Sequence, residues 1–210
     1  MNDSAERIRA AKRRLRREVV DRVLGMEPGI RGEEERELDR LFPTLPGLEA
    51  ARTVLLYVSH LPEEFETRGM IAWALGQGKD VACPRVDRQD RSLRLCRVTD
   101  PDRDLVPGPF GIPEPSAGAM ELDPVRIDWV LVPGIAFDGQ GGRLGRGAGH
   151  YDRLLPRLRP EVPRLALVLD PQWVDVIPTA MHDQPVDGVV GVHRRWLGST
   201  RTGEQAECPR

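Results

Sequence analysis

Lysine is almost missing from this chain: Lys12 and Lys79 are its only two, and arginine carries the rest of the positive charge. Where arginine is the default cation, a lone lysine on a helix suggests a site that needs a compact ammonium rather than a planar fork, although a solvated basic face stays open as an alternative. Cysteine is scarce too. Cys83, Cys96 and Cys208 are odd in number and have no CxxC spacing, which argues against both a disulfide framework and a zinc site and makes a reducing cytoplasm the expected compartment. No run approaches the roughly 18 apolar residues that cross a bilayer, so no membrane partner is expected. A net charge of −2 exerts no global pull on nucleic acid, which leaves the N-terminal segment as the one local basic surface. Neither a Walker GxxxxGK[ST] nor a dinucleotide GxGxxG occurs, and the four histidines lack metal-ligand spacing.

What is present is a regular alternation of helical and strand patterns. Ile8, Ala11, Leu15, Val19 and Val23 recur at helical spacing over residues 5–24, closed by Gly25 and Pro28. An acid-rich second helix is expected over 33–40, partly neutralising the arginine-rich outer surface of the first. Residues 53–58, 80–86, 128–134, 164–170 and 188–192 read as buried strands, and 92–98 alternates like a half-exposed one. Thr67 is placed to cap a helix through Met70, Ile71, Ala74 and Leu75. Strands separated by helices or long crossovers predict an α/β domain with a mostly parallel sheet and helices on both faces. Ligands bind such sheets beyond the carboxyl ends of the strands. One domain over 1–197 is expected, with a loose polar tail over 198–210.

Seven of the chain's 21 glycines fall between Gly134 and Gly149, between a buried strand and a helix opened by Tyr151 and Asp152. A helix N-terminus offers unpaired N–H groups and partial positive charge, and glycines let successive amides curl around an anion. With Arg143 and Arg146 threaded through it, the segment suits phosphate, although glycine content alone would equally fit a passive loop. Asp152 complements a helix dipole in any protein; beside a bound triphosphate it is also well placed for Mg²⁺, which favours one or two carboxylates plus phosphate oxygens. Arg16 projects four residues beyond Lys12, on the same helix face.

These segments resemble the 5-formyltetrahydrofolate cyclo-ligase family over most of residues 8–192. The carriers are Lys12-Arg13-Arg14-Leu15-Arg16, Glu64-Phe65-Glu66-Thr67, Pro84-Arg85-Val86, the stretch from Phe110 to Pro115, Val132 through Asp138, Gly142 through Arg153, and His182-Asp183. The resemblance implies a three-layer α/β/α fold similar to ribose-phosphate isomerase and CoA-transferase domains. It also implies an ATP- and Mg²⁺-dependent closure of 5-formyltetrahydrofolate to 5,10-methenyltetrahydrofolate, with the formyl oxygen phosphorylated on the way.

Carried over residue by residue, it puts ATP on Lys12, Arg13, Arg14, Leu15 and Arg16 and on Arg143, Leu144, Gly145, Arg146, Gly147, Ala148, Gly149, His150, Tyr151 and Asp152. It puts the folate on Val58, Glu64, Gly149, His150 and Tyr151, Mg²⁺ on Asp152 and Asp183, and catalysis on Lys12 and Arg146. Small-molecule partners and a monomer are expected. Ala148, His150 and Ala180 depart from the family's usual residues, and Ala148 would strain a backbone that needs positive φ. Two other readings are a non-catalytic relative binding nucleotide, folate or RNA, and an ATP-driven enzyme with a different formylated or amide substrate.

Overall fold

A computed structural model describes residues 2–108 and 111–198. The long first helix, α1 (Asn2–Leu24), ends where Gly25 N–H bonds Asp21 O. Pro28 does not close it. That proline sits in the first turn of α2 (Pro28–Leu41), where its missing N–H costs nothing, and the Glu27 carboxylate caps Ile30 N–H at 2.9 Å. The second helix thus starts earlier than the acidic run predicts. Three of its acids bind outside α1: Glu35 pairs with Arg31, Glu37 with Arg40, and Glu34 accepts from Asp170 N–H.

In chain order there follow β1 (Thr53–Leu55), α3 (Arg68–Gly76), β2 (Asp80–Val86), β3 (Leu93–Val98), the single turn α4 (Pro101–Asp104), β4 (Leu105–Pro107), β5 (Pro113–Pro115), β6 (Glu121–Leu122) and β7 (Trp129–Leu131). The remainder is β8 (Ala136–Asp138), β9 (Arg143–Leu144), α5 (His150–Leu154), β10 (Arg164–Val168), β11 (Trp173–Val174), β12 (Gly188–Gly191) and β13 (Arg195–Leu197). The main sheet has eight strands in the order β13-β12-β10-β7-β1-β2-β3-β6. From β12 to β2 all pairings are parallel, and antiparallel strands close both edges.

Alternation along each central strand builds two cores. Val54, Trp129, Leu131, Leu165 and Leu167 face one side with α1, α2 and α3; Leu55, Val130, Ala166 and Val168 face the other with Leu154, Leu155 and Leu158 from α5 and the turn after it. This is the expected three-layer α/β arrangement. The layers are unequal, because the second face carries one five-residue helix.

Several expectations need correcting. The strands predicted over 53–58 and 128–134 end at Leu55 and Leu131; buried Leu56 and Val132 still bond the neighbouring strands, and Tyr57, Val58, Pro133 and Gly134 beyond them line a cleft. The chain does not end its sheet at 188–192: β13 pairs back on β12. Thr67 holds the cap position of α3 without capping it. Its hydroxyl donates to Tyr57 O at 2.8 Å and accepts from Ser59 N–H at 3.0 Å, because the loop after β1 supplies nearer partners. Cys83 and Cys96, distant in sequence, stand opposite each other in the β2–β3 register as buried free thiols. Beyond Gly198 the expected polar tail, Cys208 included, lies outside the described residues, as do residues 109 and 110. Among the described helices none is long and apolar enough to cross a membrane.

Trp129 anchors the first core. It is fully buried, its indole N–H donates to Pro46 O at 3.0 Å, and Phe42 packs edge-on at 6.0 Å between ring centroids. Trp129→Ala should therefore lower the free energy of unfolding by about 3–5 kcal/mol, measured by urea denaturation. A loss under about 1 kcal/mol would show that this face repacks freely.

Candidate functional site

The chain runs from β1 through α3 to β2 on one side, then returns to place β7 on the other side of β1. Strand order therefore reverses between β1 and β7, and in an open parallel sheet that reversal opens a crevice past the strand ends. A cleft of about 900 Å³ lies there, walled by Tyr57 and Val58 after β1 and by Pro133 and Gly134 after β7. Its other walls are α1, the glycine-rich segment, the loop 179–183, and the β2–β3 hairpin.

From α1, Lys12, Arg13 and Arg16 reach the cleft. Arg14 does not: it is exposed on the opposite face, and Leu15 turns inward to pack on the core beside Val19 and Val23. With about 100° between successive residues, a five-residue stretch cannot present every side chain to one ligand. The same geometry brings Ile8 and Arg9 to the cleft, one turn before Lys12. Those two were legible in the i−4 and i−3 positions relative to Lys12, where Ile8 reads only as core.

Lys12 Nζ pairs with Asp183 Oδ2, which also accepts from Ala180 N–H at 2.6 Å. Partial burial works against the Asp183 charge, but these two bonds outweigh it and hold the carboxyl below the usual range. Arg16 Nε donates to Gly145 O at 2.7 Å, so α1 is latched to the glycine-rich segment as well as to the 179–183 loop.

That segment divides into two functions. Its first half folds around buried Asp138, whose carboxylate accepts from the N–H groups of Gln140, Gly142 and Ile177. The second half, from Arg143 through Asp152, contributes every one of its residues to the cleft wall. Gly147 has φ +103°, a conformation that disfavours any side chain, and a Cβ there would make ordinary contact with the Arg16 guanidinium at 3.5 Å. Gly149 opens α5 with φ +67°. Ala148 between them does not share this conformation, since Arg91 is the one described non-glycine residue with positive φ. The departure at 148 therefore brings no backbone strain. α5 itself has five residues, so its summed dipole is small and the positive potential here comes mainly from side chains and loop amides.

Arg143 is nearly buried and pairs with Asp152 Oδ1 at 2.6 Å, while Gln184 N–H donates to the same oxygen at 3.1 Å. Asp152 is thus tied to the residue that follows Asp183, which brings the two candidate metal ligands to one side of the cleft. Among the described residues no cluster of three or more metal-ligating side chains exists. Two carboxylates, each with one oxygen committed to two protein donors, match a cation that takes its other ligands from phosphate and water. The Nε of Arg143 and the hydroxyl of Tyr151 are buried without protein partners, the kind of donors that water or a ligand oxygen satisfies. His150 lines the cleft, but its Nδ1 lies 2.8 Å from Arg91 O, committing it to the β2–β3 turn.

On the opposite wall, Glu64 Oε2 accepts from His60 and Leu61 N–H, and Oε1 faces Arg146 at 3.3 Å. Arg146 also pairs with Glu63 at 2.8 Å, a residue that sequence reasoning missed because charged loop residues carry no periodic signal. Val58 forms part of this wall beside Tyr57, whose hydroxyl is pushed well up by burial.

The 5-formyltetrahydrofolate cyclo-ligase family model matches residues 8–192 of the chain. A 5-formyltetrahydrofolate cyclo-ligase of Mus musculus is 29% identical over 89% of this chain and 96% of its own length. One from Mycolicibacterium smegmatis is 32% identical over 82% and 89%. Among solved structures, the 5,10-methenyltetrahydrofolate synthetase of Aquifex aeolicus superposes with a TM-score of 0.77 at 28% identity, covering 94% of this chain and 96% of that one. The synthetase from Mycoplasma pneumoniae, at 18% identity, shares the fold with a TM-score of 0.68.

Two outcomes follow from the site's charges. Arg143→Gln should cost about 3 kcal/mol or more in urea denaturation, because it leaves a partly buried Asp152 without its cation; a loss below about 1 kcal/mol would make the pair dispensable. The fold favours ionised Asp183, so that stabilisation is present above the carboxyl's ordinary pKa of about 4 and is lost as pH falls through the lower folded value. Between about pH 5 and pH 2, the wild type should accordingly lose more unfolding free energy than Asp183→Asn; parallel acid limbs would contradict this.

Proposed function

The chain belongs to the 5-formyltetrahydrofolate cyclo-ligase family, and on that premise we propose that it converts 5-formyltetrahydrofolate to 5,10-methenyltetrahydrofolate with ATP and Mg²⁺. The observation that carries this reading is the meeting of α1 with the glycine-rich wall, where Arg16 bonds Gly145 O and Lys12 enters the same cleft. Cations and backbone amides converge there, which suits phosphoryl transfer, a reaction governed by positioning and charge neutralisation.

The formyl group on N5 is an amide, and its oxygen is a poor leaving group. In the proposed sequence that oxygen attacks the γ-phosphorus of ATP and ADP departs. N10 then attacks the formyl carbon and loses its proton, and the C–O bond breaks to release phosphate as the five-membered ring closes. Lys12, Arg16 and the segment from Gly145 to Asp152 bind the triphosphate, and Lys12 and Arg146 neutralise the charge that moves to the departing ADP and phosphate. Arg13 and Arg143 add positive potential, and the buried Leu144 gives the wall an apolar element. Asp152 and Asp183 would hold Mg²⁺, which when bound offsets phosphate charge. Glu64 accepts pterin ring N–H groups, Val58 shapes the pterin wall, and Gly149, His150 and Tyr151 border both substrates. The apolar hairpin residues Val86 and Leu93 help exclude water from the reacting carbon.

With Mg²⁺ and ATP, purified protein should generate the near-ultraviolet absorbance of the methenyl product from 5-formyltetrahydrofolate, and ATP hydrolysis should depend strictly on the folate. No absorbance change with folded protein would overturn the reading. Lys12→Ala and Asp152→Ala should each lower kcat/KM by about 100-fold or more with unchanged circular dichroism; wild-type rates in either would detach that residue from the reaction.

A further inference from the structure

Glu63 stands behind Glu64 rather than on the cleft wall, and the proposed chemistry leaves it without a task. It nevertheless makes the shorter of the two contacts to Arg146: Nη2 lies 2.8 Å from Glu63 Oε1 and 3.3 Å from Glu64 Oε1. The acids are the fixed partners. Their side chains are 12% and 18% exposed, Glu64 Oε2 is held by two backbone N–H groups, and the loop is pinned from α2 by Arg31, which donates to Pro62 O at 2.6 Å and Glu64 O at 2.8 Å. Arg146 is the adaptable partner, 41% exposed and flanked by Gly145 and Gly147.

A triphosphate in the cleft competes for Arg146. Drawing it away leaves two mostly buried carboxylates close together without a cation, which is costly unless donors replace it. Pterin N–H groups at Glu64 would be such donors. Each substrate then offsets a cost the other incurs, and the coupling is reciprocal. Resting on the function proposed above, we propose that Glu63 is a positioning residue that parks Arg146 against Glu64 until both substrates are present, and thereby couples nucleotide binding to folate binding.

The test measures, by isothermal titration, the affinity of the β,γ-imido analogue of ATP with Mg²⁺, with and without saturating 5-formyltetrahydrofolate, in the wild type and in Glu63→Gln. The wild type should bind the analogue more tightly when the folate is present. Glu63→Gln should tighten nucleotide binding without folate by about two- to five-fold and shrink the folate-induced gain by the same factor. A role confined to fold stability would move both affinities together and leave their ratio alone. Wild-type coupling of one, or equal coupling in both proteins, overturns the proposal while leaving the enzymatic reading intact. Failure of the wild type to bind either ligand overturns both.

Discussion

Opposite charges paired around the cleft are the constraint around which this site is built. Cations and carboxylates gathered in one partly buried cleft each need a partner. Lys12 meets Asp183, Arg143 meets Asp152, and Arg146 meets Glu63 and Glu64. Lys12–Asp183 and Arg146–Glu63/Glu64 join different walls, while Arg143–Asp152 ties the two ends of the glycine-rich wall together, so the same contacts that neutralise the site also hold its parts in register.

The sheet makes these meetings possible. Reversal of strand order between β1 and β7 opens the crevice, and the long α1 crosses its edge with Val19 and Val23 buried below and Lys12 and Arg16 directed into the cleft. Helix, glycine-rich wall and closing loop thereby form one surface. Gly147 runs beside the latch from Arg16 to Gly145 O, and its φ of +103°, rather than lack of space, is what disfavours a side chain there.

Much of this was legible beforehand, for reasons that differ by residue. Buried strands announced themselves as apolar runs, and the glycine cluster marked the wall. The cluster hid two functions, since the glycines at 141 and 142 serve the turn around Asp138 rather than a ligand. Arg14 and Leu15 were placed in the site by their position in a motif, yet helical rotation turns one to solvent and the other to the core. Thr67 looked like a cap until the loop after β1 offered its hydroxyl closer partners.

The sequence by itself determined the local terms: helical and strand periodicity, the layered class, the segment able to approach an anion, and the motifs that mark the family. Those depend on neighbours along the chain. Tertiary structure alone decided which charges meet, that Lys12 faces Asp183 across 171 positions, that Arg146 rests on Glu63, and that Cys83 faces Cys96. An ion pair or a register is set by the distance between elements after packing, and no periodicity encodes that distance.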